Sequence, residues 1–139
     1  MTPLRIGDGM SFRKTLTVAE QAMYTGISGN MAPLYVDRRA AADAGFDQAL
    51  AFELNAVALA TTALNRLAGT GWRLGGLNID FTRPVTVGET IESRIEVIDA
   101  TDARASCSVR CTTAAGEVMA EGTATLVPVK PPRPAPLPE

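Results

Sequence analysis

The sequence predicts an α+β domain in which a curved antiparallel sheet wraps around one long helix. Three observations carry that expectation. Between Ala51 and Leu67 apolar residues occur all round a helical wheel, with Glu53 and Asn55 as the polar exceptions in the first turns; a helix apolar on every side is expected to be buried on every side. After it the hydrophobic period changes to two through four successive runs, each with one apolar and one polar face, as half-buried antiparallel strands require. Turn residues separate the runs: Pro84, Gly88, Asp99–Asp102 and Ala115-Gly116. One buried helix followed by strands packs most economically as a sheet bent around that helix.

The elements follow in order. Met10–Thr15 reads as a first strand, with Gly7 and Gly9 breaking the chain before it. Thr17 is placed to cap a helix, and Glu20 three residues on has the capping-box spacing. That helix is expected over Ala19–Thr25, stopping at Gly26 or Gly29. Residues 28–37 read as irregular, because Pro33 disfavours helix at Ala32. Asp37 caps a short helix over Arg38–Ala44, ended by Gly45. The long helix runs through Ala51–Leu67 and ends at Gly69 and Gly71. The strands are then carried by Leu77, Ile79 and Phe81; by Ile91, Ile95 and Val97; by Ala103, Ala105, Cys107, Val109 and Cys111; and by Val118, Ala120, Ala124 and Leu126.

A chain of 139 residues suits one domain, expected over 1–127. Residues 128–139 hold six prolines in twelve positions and few core-forming side chains, so an extended, mobile tail is expected there. The net charge of −2, the scattered Lys and Arg and the 5% aromatic content argue against a nucleic-acid partner. No apolar run reaches membrane-spanning length, and no basic segment followed by an apolar one opens the chain, so a cytoplasmic location and no membrane partner are expected. Cys107 and Cys111 share one strand face but lie too far apart to bond to each other, so buried free thiols are expected. Two cysteines and no histidine argue against a zinc site, and no metal is expected.

Two segments point further. Ser28-Gly-Asn-Met-Ala-Pro-Leu-Tyr-Val-Asp37 resembles the Ser-Gly-Asp-x-Asn-Pro-Leu-His-x-Asp signature of MaoC-like proteins. Phe81-Thr-Arg-Pro-Val-Thr-Val-Gly-Glu89 is similar to that family's Phe-x-x-Pro-Val-x-x-Gly-Asp turn. The resemblance covers residues 5–127 and implies the hot-dog fold. It also implies an (R)-specific enoyl-CoA hydratase or dehydratase acting on CoA or acyl-carrier-protein thioesters, with no cofactor, in a homodimer or larger assembly. In the family an Asp and a His face one water, and two such titratable groups suit general acid/base work. The thioester carbonyl is polarised by N–H groups at a helix start.

This sequence departs from the family at the chemistry. The aspartate position is Asn30 and the histidine position is Tyr35. An amide takes up no proton near neutral pH, and a phenol is a weak base there. Where the family often has Ala-His-Gly-Met before the helix, this chain has Ala51-Phe-Glu-Leu54. The expected catalytic set is therefore Glu53, Tyr35 and Asn30, with Pro33, Phe52, Leu54 and Asn55 against the substrate. Three readings stand: an acyl-thioester hydrolase with Glu53 as nucleophile or base, a hydratase or dehydratase in which Tyr35 and Glu53 replace the missing pair, and a binding subunit without activity of its own. Each residue also has a plain structural reading. Glu53 pairs with Arg38, Arg39, Arg73 or Arg83 across a subunit boundary, Asn30 caps its loop, Tyr35 packs its ring and shares its hydroxyl, and Asn55 needs a hydrogen-bond partner if buried.

Overall fold

The computed structural model describes residues 3–130 and 134–138. Strand β1 (Gly9–Thr15) is followed by helices α1 (Val18–Ser28), α2 (Pro33–Val36), α3 (Arg38–Asp43) and α4 (Glu53–Ala68). Strands β2 (Trp72–Phe81), β3 (Thr90–Ala100), β4 (Ala105–Thr113) and β5 (Val118–Pro128) complete the chain. The five strands form one antiparallel sheet in the order β1-β3-β4-β5-β2. Helix α4 lies against the face that carries Ile91, Ile95, Val97, Cys107, Cys111, Ala120 and Ala124, and together they form the core.

Local chemistry sets the helix ends. Thr17 and Glu20 form the expected capping box, with the Thr17 N–H donating to the Glu20 carboxylate at 2.7 Å. Helix α1 runs through Gly26 and one turn past Thr25, ending where Gly29 takes φ 72°, a left-handed conformation glycine adopts without strain. Residues 33–36 are not irregular: they make one helical turn. Pro33 occupies its first position, where a missing N–H costs nothing, while Ala32 before it stays extended. Asp37 then accepts the Arg39 N–H at 2.8 Å and starts α3.

Three strand readings change. Strand β2 begins at Trp72, five residues before the visible alternation, because a register shift at Leu74/Gly76 and two glycines mask its period. Ala103 falls in the turn before β4. In β5 both Met119 and Ala120 are buried, at a bulge opposite Cys111/Thr112. Cys107 and Cys111 are buried free thiols.

The long helix starts at Glu53 because Ala51 is held by Val85 through its N–H. It is not enclosed on every side. Ala56, Leu59, Ala60, Ala63 and Leu64 face the sheet, while Leu54, Ala58, Thr61 and Asn65 form an open stripe, Leu54 being 51% exposed. The sheet covers one face of the helix, α1 approaches it at Asn55, and the stripe itself stays exposed among the described residues.

Strand pairing continues past Val127. Pro128 pairs with Trp72, and the Val129 N–H donates to the Gly71 carbonyl at 3.0 Å. Residues 134–138 are exposed and without regular structure. The tail expectation also falls on residues 131–133 and 139, which lie outside the described residues. Among the described residues, no helix is long and apolar enough to cross a membrane.

Candidate functional site

The folded chain brings two of the expected residues into direct contact. The Tyr35 hydroxyl donates to Oε1 of Glu53 at 2.6 Å. Tyr35 comes from the single turn of α2, and Glu53 is the first residue of α4. No side chain caps the start of α4, so its first N–H groups give the helix a partly positive end beside the Glu53 carboxylate. Within the chain the partner of Glu53 is thus Tyr35 and not one of the arginines. Arg83 pairs instead with Glu117.

Burial first, then the hydrogen bond to Glu53 and its negative charge, push the Tyr35 phenol up to about 12. At neutral pH it carries its proton and donates it in the hydrogen bond to Glu53. In this contact Tyr35 is the donor and Glu53 the acceptor. Tyr35 occupies Oε1, and among the described residues none bonds to Oε2.

Phe52 caps α4 and is 2% exposed. Its ring lies between two tyrosines, with Tyr24 at 4.3 Å and Tyr35 at 4.6 Å between ring centroids. The stack explains why an aromatic residue stands before Glu53: it fixes the Tyr35 ring from one side, and offers little surface of its own. Leu54, one residue on, opens to solvent. Pro33 starts the turn that carries Tyr35. Asn55 has the partner its position required, donating through Nδ2 to the Glu20 carbonyl at 3.3 Å.

Asn30 is bound up in its own loop. Its Oδ1 accepts the Ala32 N–H at 2.9 Å, its N–H donates to Ser28 Oγ at 3.1 Å, and its carbonyl accepts from Thr25 at 3.0 Å. These bonds shape the turn leading into Pro33 and do not join Asn30 to the Tyr35–Glu53 pair.

Cavities open on both sides of α1. One of about 440 Å³ is walled by Val18, Gln21, Tyr35, Arg38, Gln48 and Val87. The other, of about 380 Å³, lies between β1, α1 and α4 and is walled by Phe12, Glu20, Tyr24, Asn55 and Ala58. Both are mainly apolar with a few polar groups, the usual lining of a small-molecule site. Sequence reasoning missed Gln21 and Tyr24. Gln21 is the buried residue of a helix whose other side chains face outward or lie part-buried, so no apolar stripe marked its inward face.

The chain is similar to known proteins in sequence and in fold. A family model described as "MaoC like domain" matches residues 3–119. The chain is 27% identical over 130 residues to the 3-hydroxybutyryl-CoA dehydratase of Methylorubrum extorquens, covering 91% of this chain and 83% of that protein. It is 26% identical over 126 residues to the (R)-specific enoyl-CoA hydratase of Rhodospirillum rubrum, covering 89% and 88%. Its structure matches the (R)-hydratase from A. caviae involved in PHA biosynthesis with a TM-score of 0.84 at 25% identity, over 89% of this chain and 96% of that one.

Proposed function

The chain belongs to the MaoC-like domain family, and on that basis we propose that it binds an acyl thioester of CoA or acyl-carrier protein, with Glu53 as general base. The observation that carries this reading is the Tyr35–Glu53 hydrogen bond at the uncapped start of α4. The thioester carbonyl oxygen lies against the first N–H groups of α4, which polarise it. A water held by Glu53 Oε2 stands beside the carbonyl, and the acyl chain occupies an apolar cavity beside α1.

Ordinary hydration of an enoyl thioester is not the favoured reaction. It requires a base for water and a proton for the α-carbon, and Asn30 and Tyr35 replace the groups that do this work in the family. A second reading, hydrolysis, is favoured by the Glu53 carboxylate, one oxygen of which has no hydrogen bond among the described residues. Glu53 removes a proton from water as the oxygen attacks the carbonyl carbon. The carbon–sulfur bond then breaks, and the departing thiolate takes the proton.

The experiment offers the chain saturated and 2-enoyl CoA thioesters. Hydrolysis releases free thiol, hydration removes the enoyl absorbance without thiol, and binding alone raises Tm. Glu53→Gln is expected to lower turnover by roughly 10²- to 10⁴-fold while ligand still raises Tm. Unchanged turnover in that variant removes Glu53 from the chemistry, and no Tm rise with any thioester overturns the binding reading itself.

A second copy of the chain is the expected partner. Leu74, Leu77 and Phe81 of edge strand β2 stay 40–42% exposed. Each pairs with a residue on the helix-facing side of β5: Leu126, Ala124 and Ala120. These apolar side chains therefore point toward α4's side of the sheet without α4 covering them.

A further inference from the structure

Gln21 is a buried amide, 7% exposed, that the chemistry above leaves unused. All three of its side-chain hydrogen bonds leave its own helix. Nε2 donates to the Tyr35 carbonyl at 2.8 Å and to the Leu50 carbonyl at 2.8 Å. Oε1 accepts the Phe52 N–H at 2.9 Å. The three partners are 14, 29 and 31 residues away in sequence. They lie on the two segments that carry the site: Tyr35 itself, and the strand of chain that delivers Glu53.

Only an uncharged amide suits these partners. It supplies two N–H donors and a carbonyl acceptor from one rigid plane. Glutamate has no donor when ionised, lysine has no acceptor, and an apolar side chain strands three backbone groups. Helix α2 needs such an anchor, being four residues long with no side-chain cap. The aromatic stack restrains the Tyr35 ring across its face, but stacked rings slide in their plane more easily than hydrogen-bonded groups separate.

We propose that Gln21 is a positioning residue, whose amide locks the Tyr35 turn to the cap of α4 and so fixes the contact between Tyr35 and Glu53. Its effect on turnover rests on the reading of Glu53 as the base; the geometry does not depend on any substrate.

The test uses two variants of the full chain. Gln21→Met keeps the side-chain volume and loses all three hydrogen bonds. Gln21→Asn keeps an amide too short to span the partners and admits water to them, so it serves if the methionine variant fails to fold. Both are made beside Tyr24→Phe, which leaves Tyr35 as the only one of the two tyrosines, and the Tyr35 ring carbon bearing the hydroxyl is followed by ¹³C NMR as pH rises. In the parent, Tyr35 stays mostly protonated at pH 11. In the variants roughly half or more is expected to be ionised there, because the contact with Glu53 has loosened. The kcat for the thioester is expected to fall about tenfold to a hundredfold with little change in KM, the signature of a displaced reacting group. A loss of global stability alone leaves the ionisation of the folded protein where it was. The same ionisation in parent and both variants overturns the proposal, whatever the turnover. A shifted ionisation in a chain that turns over no thioester upholds the clamp and overturns the reading of the site instead.

Discussion

At the scale of single residues, the phenol of Tyr35 has consequences for stability as well as chemistry. It is raised from its ordinary 10.0 to about 12, so between those values the folded chain holds a proton the unfolded chain has released. Its contribution is fully present below pH 10 and is lost as pH rises toward 12. Tyr35→Phe is expected to lose about 1 kcal/mol at neutral pH, the net worth of a hydrogen bond. It is also expected to flatten the alkaline decline, which urea unfolding at pH 9 and pH 11 measures. An equal decline in parent and variant counts against the Tyr35–Glu53 contact. Glu20 works in the opposite direction. Lys14 first and Thr17 second hold its carboxyl at about 2, down from 4.5. Its stabilisation is present above pH 4.5 and lost as pH falls toward 2, and Glu20→Gln should remove that acid-side loss from the unfolding profile.

At the scale of elements, the union of β2 with β5 depends on a missing side chain. A methyl group placed on Gly122 meets the Asn78 carbonyl carbon at 2.8 Å and the Ile79 Cα at 2.9 Å, with the carbonyl oxygen closer still. These are backbone atoms that cannot swing aside. Gly122→Ala is expected to destabilise the fold by about 3 kcal/mol, since the two strands must separate to admit it. Thermal melting checks this, and an unchanged Tm argues against the close approach. The elements also divide by how legible they were. Thr17 with Glu20, and Asp37 with Arg39, announce their helices because donor and acceptor lie within a few residues. The period of β3 survives because Glu92, Arg94 and Glu96 stay off the core face. The turn at 33–36 was hidden because proline breaks helices in general and starts them at one position. Gln21 carried no signal, since all its partners lie far along the chain. The meeting of Tyr35 and Glu53 was legible only as two suspicious residues; their contact depends on how α2 folds back onto α4. The open stripe of α4 was misread because Leu54 and Ala58 are apolar without being covered.

At the scale of the whole molecule, the half-exposed row on β2 and the open stripe on α4 make association with a second copy the property to test. Leu77→Asp places a charge in the middle of the β2 row. If two copies associate through it, sedimentation should show the parent as a dimer at micromolar concentration and the variant as a monomer that keeps its helical and sheet spectrum. A monomeric parent sinks that partner reading and leaves the exposed leucines unexplained. The effect on Glu53 chemistry separates a mere contact from one that shapes the site: turnover per chain falls in the variant only if association completes the pocket.

The strand order carries one more consequence, for the sequence of events during refolding. Strands β3, β4 and β5 are neighbours both along the chain and across the sheet, joined by hairpins. Strand β1 closes onto β3 over a long loop, with Thr15 and Thr90 meeting 75 residues apart. Closing that loop is entropically slower than forming a hairpin. In pulse-labelled amide exchange, the three-strand meander should therefore gain protection first, and the flanking strands together with the Phe52 amide should be sealed last.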